Sequence, residues 1–84
     1  MNLFKRRKPR TAIEIAGIIE RFLDGTSLYP QEWNDFVENK HPDRKLDSYR
    51  KRCSALDSQV NCLDPQDPKA LAELRVLVDE LRNL

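Results

Sequence analysis

TAIEIAGIIERFLDG, residues 11–25, contains a complete amphipathic helix together with the signals for both of its ends. Thr11 and Glu14 have the spacing of a capping box, in which each side chain binds the backbone amide of the other residue. Gly25 favours the left-handed conformation that ends many helices. Between these ends, large apolar residues recur at helical spacing: Ile15, Ile18, Ile19, Phe22 and Leu23. The stretch therefore predicts a helix that packs one face against a core.

A second, short helix is predicted after Tyr29. Pro30 suits its first position, because an amide at that position has no partner within the helix. The helix should fade near residues 39–40, since Pro42 disfavours a helical conformation at His41. The apolar face of this helix consists of Trp33, Phe36 and Val37.

Two longer helices are predicted in the rest of the chain. The third opens at Asp43, and its apolar residues form a narrow seam of coiled-coil type: Leu46, Tyr49, Cys53, Leu56 and Val60. The fourth opens at one of two Asp-Pro pairs, and we favour Asp67 over Asp64 because Pro68 deeper in the helix would remove a hydrogen bond. Its apolar stripe is broad: Leu71, Leu74, Leu77, Val78, Leu81 and Leu84.

These patterns predict an all-α fold. No stretch alternates polar and apolar residues with the period of a strand. We expect a small bundle of four helices, the second one short, with a flexible basic N-terminal arm. The arm covers residues 1–10 and a single helical domain covers residues 11–84. A chain of 84 residues is long enough to build one small core.

The charge of the chain is unevenly distributed. Five of the first ten residues are basic and none is acidic, whereas residues 11–84 contain ten Lys and Arg against fourteen Asp and Glu. A basic arm of this kind attracts phosphate, an anionic membrane or an acidic protein face. Basic residues of the third helix could extend the same surface. The candidate contacts for an anion or a nucleic acid are Lys5, Arg6, Arg7, Lys8, Arg10, Arg44, Lys45, Lys51 and Arg52.

The sequence offers little for catalysis or for metal binding. His41 is the only histidine, it lies in a polar loop, and we interpret it as solvated. No Gly-rich phosphate-binding loop is present. Cys53 and Cys62 lack the spacing of metal ligands, and their redox state stays open. We therefore expect no enzymatic activity and assign no catalytic, metal or cofactor-binding residues.

A candidate face for a protein partner consists of Tyr29, Trp33 and Val76. Tyr and Trp are enriched at protein interfaces, because they offer a large rigid surface with a polar tip. In a chain with a single tryptophan, however, Trp33 also suits the core, and we favour that position for it.

We expect a soluble, cytoplasmic, non-catalytic module that binds another protein or regulates one. The longest apolar run has three residues, too few for a membrane span. The alternative is an accessory nucleic-acid-binding protein that uses the arm and the third helix. A homodimer stays open, and a membrane surface is the least favoured partner. The size and helix count are similar to those of small all-α bacterial immunity proteins, which block a toxin with an acidic face. None of their motifs occurs here, so no residue is assigned from that similarity.

Overall fold

The computed structural model describes residues 9–61 and 66–84. This part of the chain contains four helices and no strand: α1 (Ala12–Asp24), α2 (Glu32–Glu38), α3 (Arg44–Val60) and α4 (Pro68–Arg82). The predicted all-α bundle is therefore confirmed. None of these helices is both long and apolar enough to cross a membrane. The predictions that concern Lys5 to Lys8, Cys62 and Asp64 fall outside the described residues.

The long helices begin where the capping signals predict. The Thr11 hydroxyl accepts a 3.1 Å hydrogen bond from the Glu14 amide, and the Glu14 carboxylate accepts a 2.9 Å bond from the Thr11 amide. Asp43 caps α3 in the same way, with its carboxylate 3.0 Å from the amide nitrogen three residues on. Asp67 caps α4, and Pro68 is the first helical residue. Each cap satisfies an amide that has no partner inside its helix.

The short helix α2 begins two residues later than predicted. Pro30 and Gln31 form a turn, which a hydrogen bond of 3.1 Å from the Glu32 amide to the Tyr29 carbonyl closes. Proline is favoured at the second position of such a turn for the same reason that it is favoured at a helix start, namely its fixed φ angle. Proline is compatible with both a turn and the first turn of a helix, and the prediction of a helix start at Pro30 was wrong.

The helices enclose one core. α1 packs along α4 and also contacts α2, while α3 packs against α2 and α4. The largest fully buried side chains come from three helices: Ile15, Ile19, Cys53, Val60, Leu74, Leu77 and Leu81. Leu46 and Leu56 of the predicted seam are only partly buried. Leu84 lies beyond the end of α4 and is exposed, so its assignment to the stripe was wrong.

Trp33 belongs to the core and not to a partner face. Its side chain is 3% exposed, its ring stacks on Phe22 at a centroid distance of 4.1 Å, and it meets the edge of Phe36 at 6.1 Å. The indole N–H donates a 2.6 Å hydrogen bond to the Asp57 carboxylate on α3. This bond satisfies the polar atom of a buried aromatic side chain, as burial of tryptophan requires. Short α2 is thereby fixed to both of its neighbours.

Candidate functional site

A concave surface of about 790 Å³ runs along the outer side of α1 and the loop to α2. We call it the α1 groove and define it by six of its lining residues: Ile13, Gly17, Arg21, Leu28, Tyr29 and Glu32. Helical spacing explains the first three, because residues 13, 17 and 21 follow one another on the face of α1 that points away from the core. The groove is therefore a surface of the helix that the bundle leaves uncovered.

Gly17 keeps the floor of the groove low. A Cβ atom at this position would lie 3.1 Å from the Arg21 Nη1 atom. The guanidinium of Arg21 thus occupies the space that a side chain at position 17 would need. It is held there by Glu32, whose carboxylate accepts bonds of 3.0 Å from Nε and 2.7 Å from Nη2. A glycine in the middle of α1 is explained by this close approach and not by a break in the helix.

Glu32 is the best-satisfied charge in the groove. Besides the two bonds from Arg21, its carboxylate accepts a 3.2 Å hydrogen bond from the Leu28 amide. The hydrogen bond from Arg21 lowers the pKa of Glu32, although burial opposes this effect, and the same bond raises the pKa of Arg21. Both groups are charged at neutral pH. Their pairing fixes the loop between α1 and α2 against α1.

Two large apolar side chains flank this ion pair in the open. Ile13 is 56% exposed and Leu28 is 73% exposed, and both line the α1 groove. Tyr29 lies beside them, half-buried, and its hydroxyl donates a 2.9 Å bond to the Asp35 carboxylate. That hydrogen bond raises the pKa of Tyr29. Of the predicted partner face, Tyr29 lies in the groove, whereas Val76 is exposed on α4 and does not line it.

The charge of the groove is not fully balanced. Arg21 pairs with Glu32, and Arg82 of α4 pairs with Glu20. Asp24, the last residue of α1, has no hydrogen-bond or ion-pair partner among the described residues. An acid at this end of a helix meets the negative end of the helix dipole. The groove therefore has an uncompensated negative charge at one end.

A second surface is formed by cations at the junction of α2 and α3. Lys40, Arg44 and Lys51 line one concavity together with the hydroxyl-bearing Ser48, and we call this the basic surface. Residues 44, 48 and 51 share one face of α3, because they are four and three positions apart. Two of these cations, Arg44 and Lys51, were predicted as anion contacts, whereas Lys40 was not. Lys45 is exposed on α3 but does not line the concavity.

His41 connects the basic surface to the beginning of the described chain. Its Nδ1 atom accepts a 2.9 Å bond from the Asp43 amide, so Nε2 bears the proton and donates to the Arg10 carbonyl at 2.8 Å. Its own amide donates to Asp47 at 2.8 Å. His41 is thus half-buried and bonded at both ring nitrogens, and its interpretation as a solvated residue was wrong. Arg10, whose backbone it holds, lines the α1 groove.

The other predicted cation on α3 is engaged within the bundle. Arg52 binds Glu73 at 3.1 Å and Glu80 at 3.3 Å, both on α4, and lies over the ring of Tyr49. These contacts hold α3 to α4 and leave Arg52 outside the basic surface. Lys5, Arg6, Arg7 and Lys8 lie outside the described residues.

The one cysteine among the described residues is shielded from solvent. Cys53 is a fully buried free thiol, and burial raises its pKa to about 12, so it is not a nucleophile at neutral pH. In residues 9–61 and 66–84, no three His, Cys, Asp or Glu side chains converge in a way that could hold a metal ion. What the two surfaces can do is bind: one offers apolar contacts, and the other offers positive charge.

No protein-family model matches the chain, and a search of the curated proteins and of the solved structures found no match. The geometry of the two surfaces is therefore what supports a function.

Two residues of the α1 groove were not predicted from the sequence, because each is marked there only by its position. Ile13 is apolar but lies off the apolar stripe of α1, and Leu28 stands alone in a polar loop. An apolar residue away from a core stripe is the pattern that would have indicated the groove.

Proposed function

We propose that this protein is a non-catalytic interaction module that binds a segment of another protein in the α1 groove. The observation that carries the proposal is the exposure of Ile13 and Leu28 on one concave surface. Single exposed apolar residues are common, but two large ones beside a fixed ion pair form a shaped apolar site. A cytoplasmic location is part of the proposal. An antitoxin-like role is a special case, in which the bound segment belongs to a toxin.

The site is shaped before a partner arrives. The Arg21–Glu32 pair and the bond from the Leu28 amide hold the loop in place, so little ordering is needed on binding. Affinity from a site of this kind comes from a few side chains that become desolvated, and not from the total contact area.

The chemistry of the groove defines the partner segment. Apolar side chains of the partner would cover Ile13 and Leu28. A Lys or Arg of the partner would lie opposite Asp24, which has no other partner among the described residues. The expected ligand is therefore a short helical or extended segment in which apolar residues are followed by a basic residue.

The test compares two matched double variants. Ile13→Ser/Leu28→Ser removes the apolar contacts of the groove. Val76→Ser/Leu84→Ser removes two other exposed apolar side chains, which lie outside the lining of the groove. Each variant and the wild type is used to capture proteins from a nuclease-treated lysate of the source cells. Captured proteins are then purified, and their affinity for all three chains is measured by calorimetry.

We expect a partner that binds the wild type and the control alike and binds the groove variant about 30- to 150-fold more weakly. Full burial of such a side chain contributes roughly 1.5–3 kcal/mol, and Ile13 and Leu28 are already partly shielded, so about 2–3 kcal/mol is lost in total. If both double variants lose binding equally, or if neither does, the groove is not the binding site. If light scattering shows a dimer that only the groove variant dissociates, the occupant is a second copy of this chain.

A further inference from the structure

The basic surface at the α2–α3 junction is distinct from the α1 groove and has a different chemistry. Lys40 and Arg44 have no hydrogen-bond or ion-pair partner among the described residues. Lys51 approaches only Asp47, at 3.9 Å, and its side chain is 70% exposed. Three cations and the Asp47 carboxylate therefore line one shallow concavity, and of the three cations only Lys51 has an acidic partner among the described residues.

The nearby acids do not cancel this charge. Asp47 is already bound by Arg50, whose Nε atom lies 2.7 Å from its carboxylate, and it also accepts the His41 amide. Asp43 is occupied as the cap of α3, where it accepts the Leu46 amide. Two acids thus face four cations, counting Arg50, and the remaining positive charge is presented to solvent.

The cations are spaced to follow a line of phosphates. Arg44 and Lys51 are seven residues apart on one face of α3, which corresponds to about 10 Å along the helix axis. Phosphates on one strand of a duplex follow one another every 3.4 Å or so along its axis, so this span covers about three of them. Ser48 lies between the two cations on the same face, but its hydroxyl donates a 2.5 Å hydrogen bond to the Lys45 carbonyl, so it adds no donor for a phosphate.

The backbone of Arg10 is held at the edge of the basic surface by His41, which lines it. The bond between the His41 ring and the Arg10 carbonyl fixes residue 10 beside the α2–α3 loop. Lys5, Arg6, Arg7 and Lys8 precede it by two to five residues in the sequence.

We propose that the basic surface binds the sugar-phosphate backbone of a nucleic acid without regard to base sequence. Sequence independence follows because the three cations of the lining contact phosphate oxygens, which carry no information about base sequence. The same lining favours a nucleic acid over a membrane. A membrane-surface site combines cations with exposed apolar side chains, and none of the large exposed apolar residues of the described chain lines this concavity.

The experiment uses fluorescence anisotropy with a labelled 20-base-pair duplex of mixed sequence, titrated with the full chain at several salt concentrations. The test variant is Arg44→Gln/Lys51→Gln. The matched control is Lys69→Gln/Arg75→Gln, which removes the same charge from two exposed cations of α4 whose side chains have no partner among the described residues. Circular dichroism melting checks that both variants fold, as their surface positions predict. The groove variant Ile13→Ser/Leu28→Ser and a second duplex of different sequence complete the set.

We expect salt-sensitive binding of both duplexes by the wild type. The test variant should bind at least about tenfold more weakly at 0.1 M salt, and its log–log salt slope should fall by about 1.8, because each duplex phosphate contact contributes roughly 0.9. The control and the groove variant should bind as the wild type does, which separates this proposal from that of the α1 groove. Absence of binding at 50 mM salt, or an equal loss in test and control variants, would overturn the proposal. So would binding to vesicles that contain phosphatidylserine without binding to either duplex.

Discussion

The guanidinium of Arg21 and the carboxylate of Glu32 form a two-point ion pair that joins α1 to the first residue of α2. The Nε–Oε1 and Nη2–Oε2 distances are 3.0 and 2.7 Å, and Glu32 is almost completely buried. The two residues are 11 positions apart in the sequence, and their ion pair closes the loop that contains Leu28 and Tyr29. It therefore shapes the α1 groove as well as the bundle.

Glu32→Gln should destabilise the protein by about 1–2 kcal/mol. Glutamine has the same size as glutamate, but it lacks the negative charge to which Arg21 and the Leu28 backbone N–H donate hydrogen bonds. Glu20→Gln is the matched control, since Glu20 pairs with Arg82 on the surface at 44% exposure, against 4% for Glu32. It should cost about 0.5 kcal/mol or less. Urea unfolding measures both values, and equal losses would show that the burial of Glu32 contributes nothing.

Acid should remove the contribution of Asp47 in a defined pH range. Hydrogen bonds from Arg50, and secondarily from the His41 amide, lower the pKa of Asp47 from its ordinary 3.8 to about 2. Because the unfolded chain takes up the proton first, the stabilisation is complete above about pH 4 and is lost as the pH falls towards 2. Asp47→Asn should lower the melting temperature at pH 7 and flatten its decline between pH 4 and 2. If the melting temperature of the Asn variant declines as steeply as that of the wild type over this range, Asp47 is not the group whose protonation destabilises the fold.

Leu74→Ala should cost about 2–5 kcal/mol, because Leu74 is fully buried in α4 and its removal leaves a cavity. Leu56→Ala should cost about 1 kcal/mol, since Leu56 is only partly buried at the side of α3. Thermal and urea unfolding of the two variants compare them directly. A Leu56 variant that loses as much as the Leu74 variant would mean that the seam of α3 is covered in solution.

Gly25→Ala should destabilise the protein by about 1 kcal/mol. Gly25 has a φ angle of 70°, and no atom lies within 4 Å of the position that a Cβ would take. The cost therefore comes from the backbone alone. Gly25→Asn is the control, because asparagine tolerates the left-handed conformation better than alanine does. If the alanine variant melts at the same temperature as the wild type, the end of α1 adapts without strain.

Local signals explain why the helices could be predicted. Thr11, Asp43 and Asp67 each bind amides within three residues, so the sequence alone contains both partners of every cap. The apolar stripes of α1 and α4 likewise follow from spacing within one helix. The start of α2 was predicted wrongly because Pro30 suits both a turn and a first helical position.

Contacts between distant residues explain what could not be predicted. His41 meets Arg10 across 31 positions, and Arg52 meets Glu80 across 28. On a helical wheel Arg52 flanks the apolar seam and Lys51 points outward, but this pattern does not identify Glu80 as the partner of Arg52. The exposure of Ile13 likewise depends on where the other helices pack, which the spacing of apolar residues in α1 leaves open.

The reactivity of Cys53 can be used to measure how often the bundle opens. Its sulfur lies in the middle of the core, and its proton is held far more tightly than that of a solvent-exposed thiol. An alkylating reagent can therefore reach it as a thiolate only while α3 is separated from its neighbours. The rate at which Cys53 is alkylated, followed by mass spectrometry, therefore reports how often the bundle opens in a chain that carries no added label. A ligand bound at either surface would lower the alkylation rate of Cys53, because it stabilises the closed bundle and so reduces the fraction of open molecules.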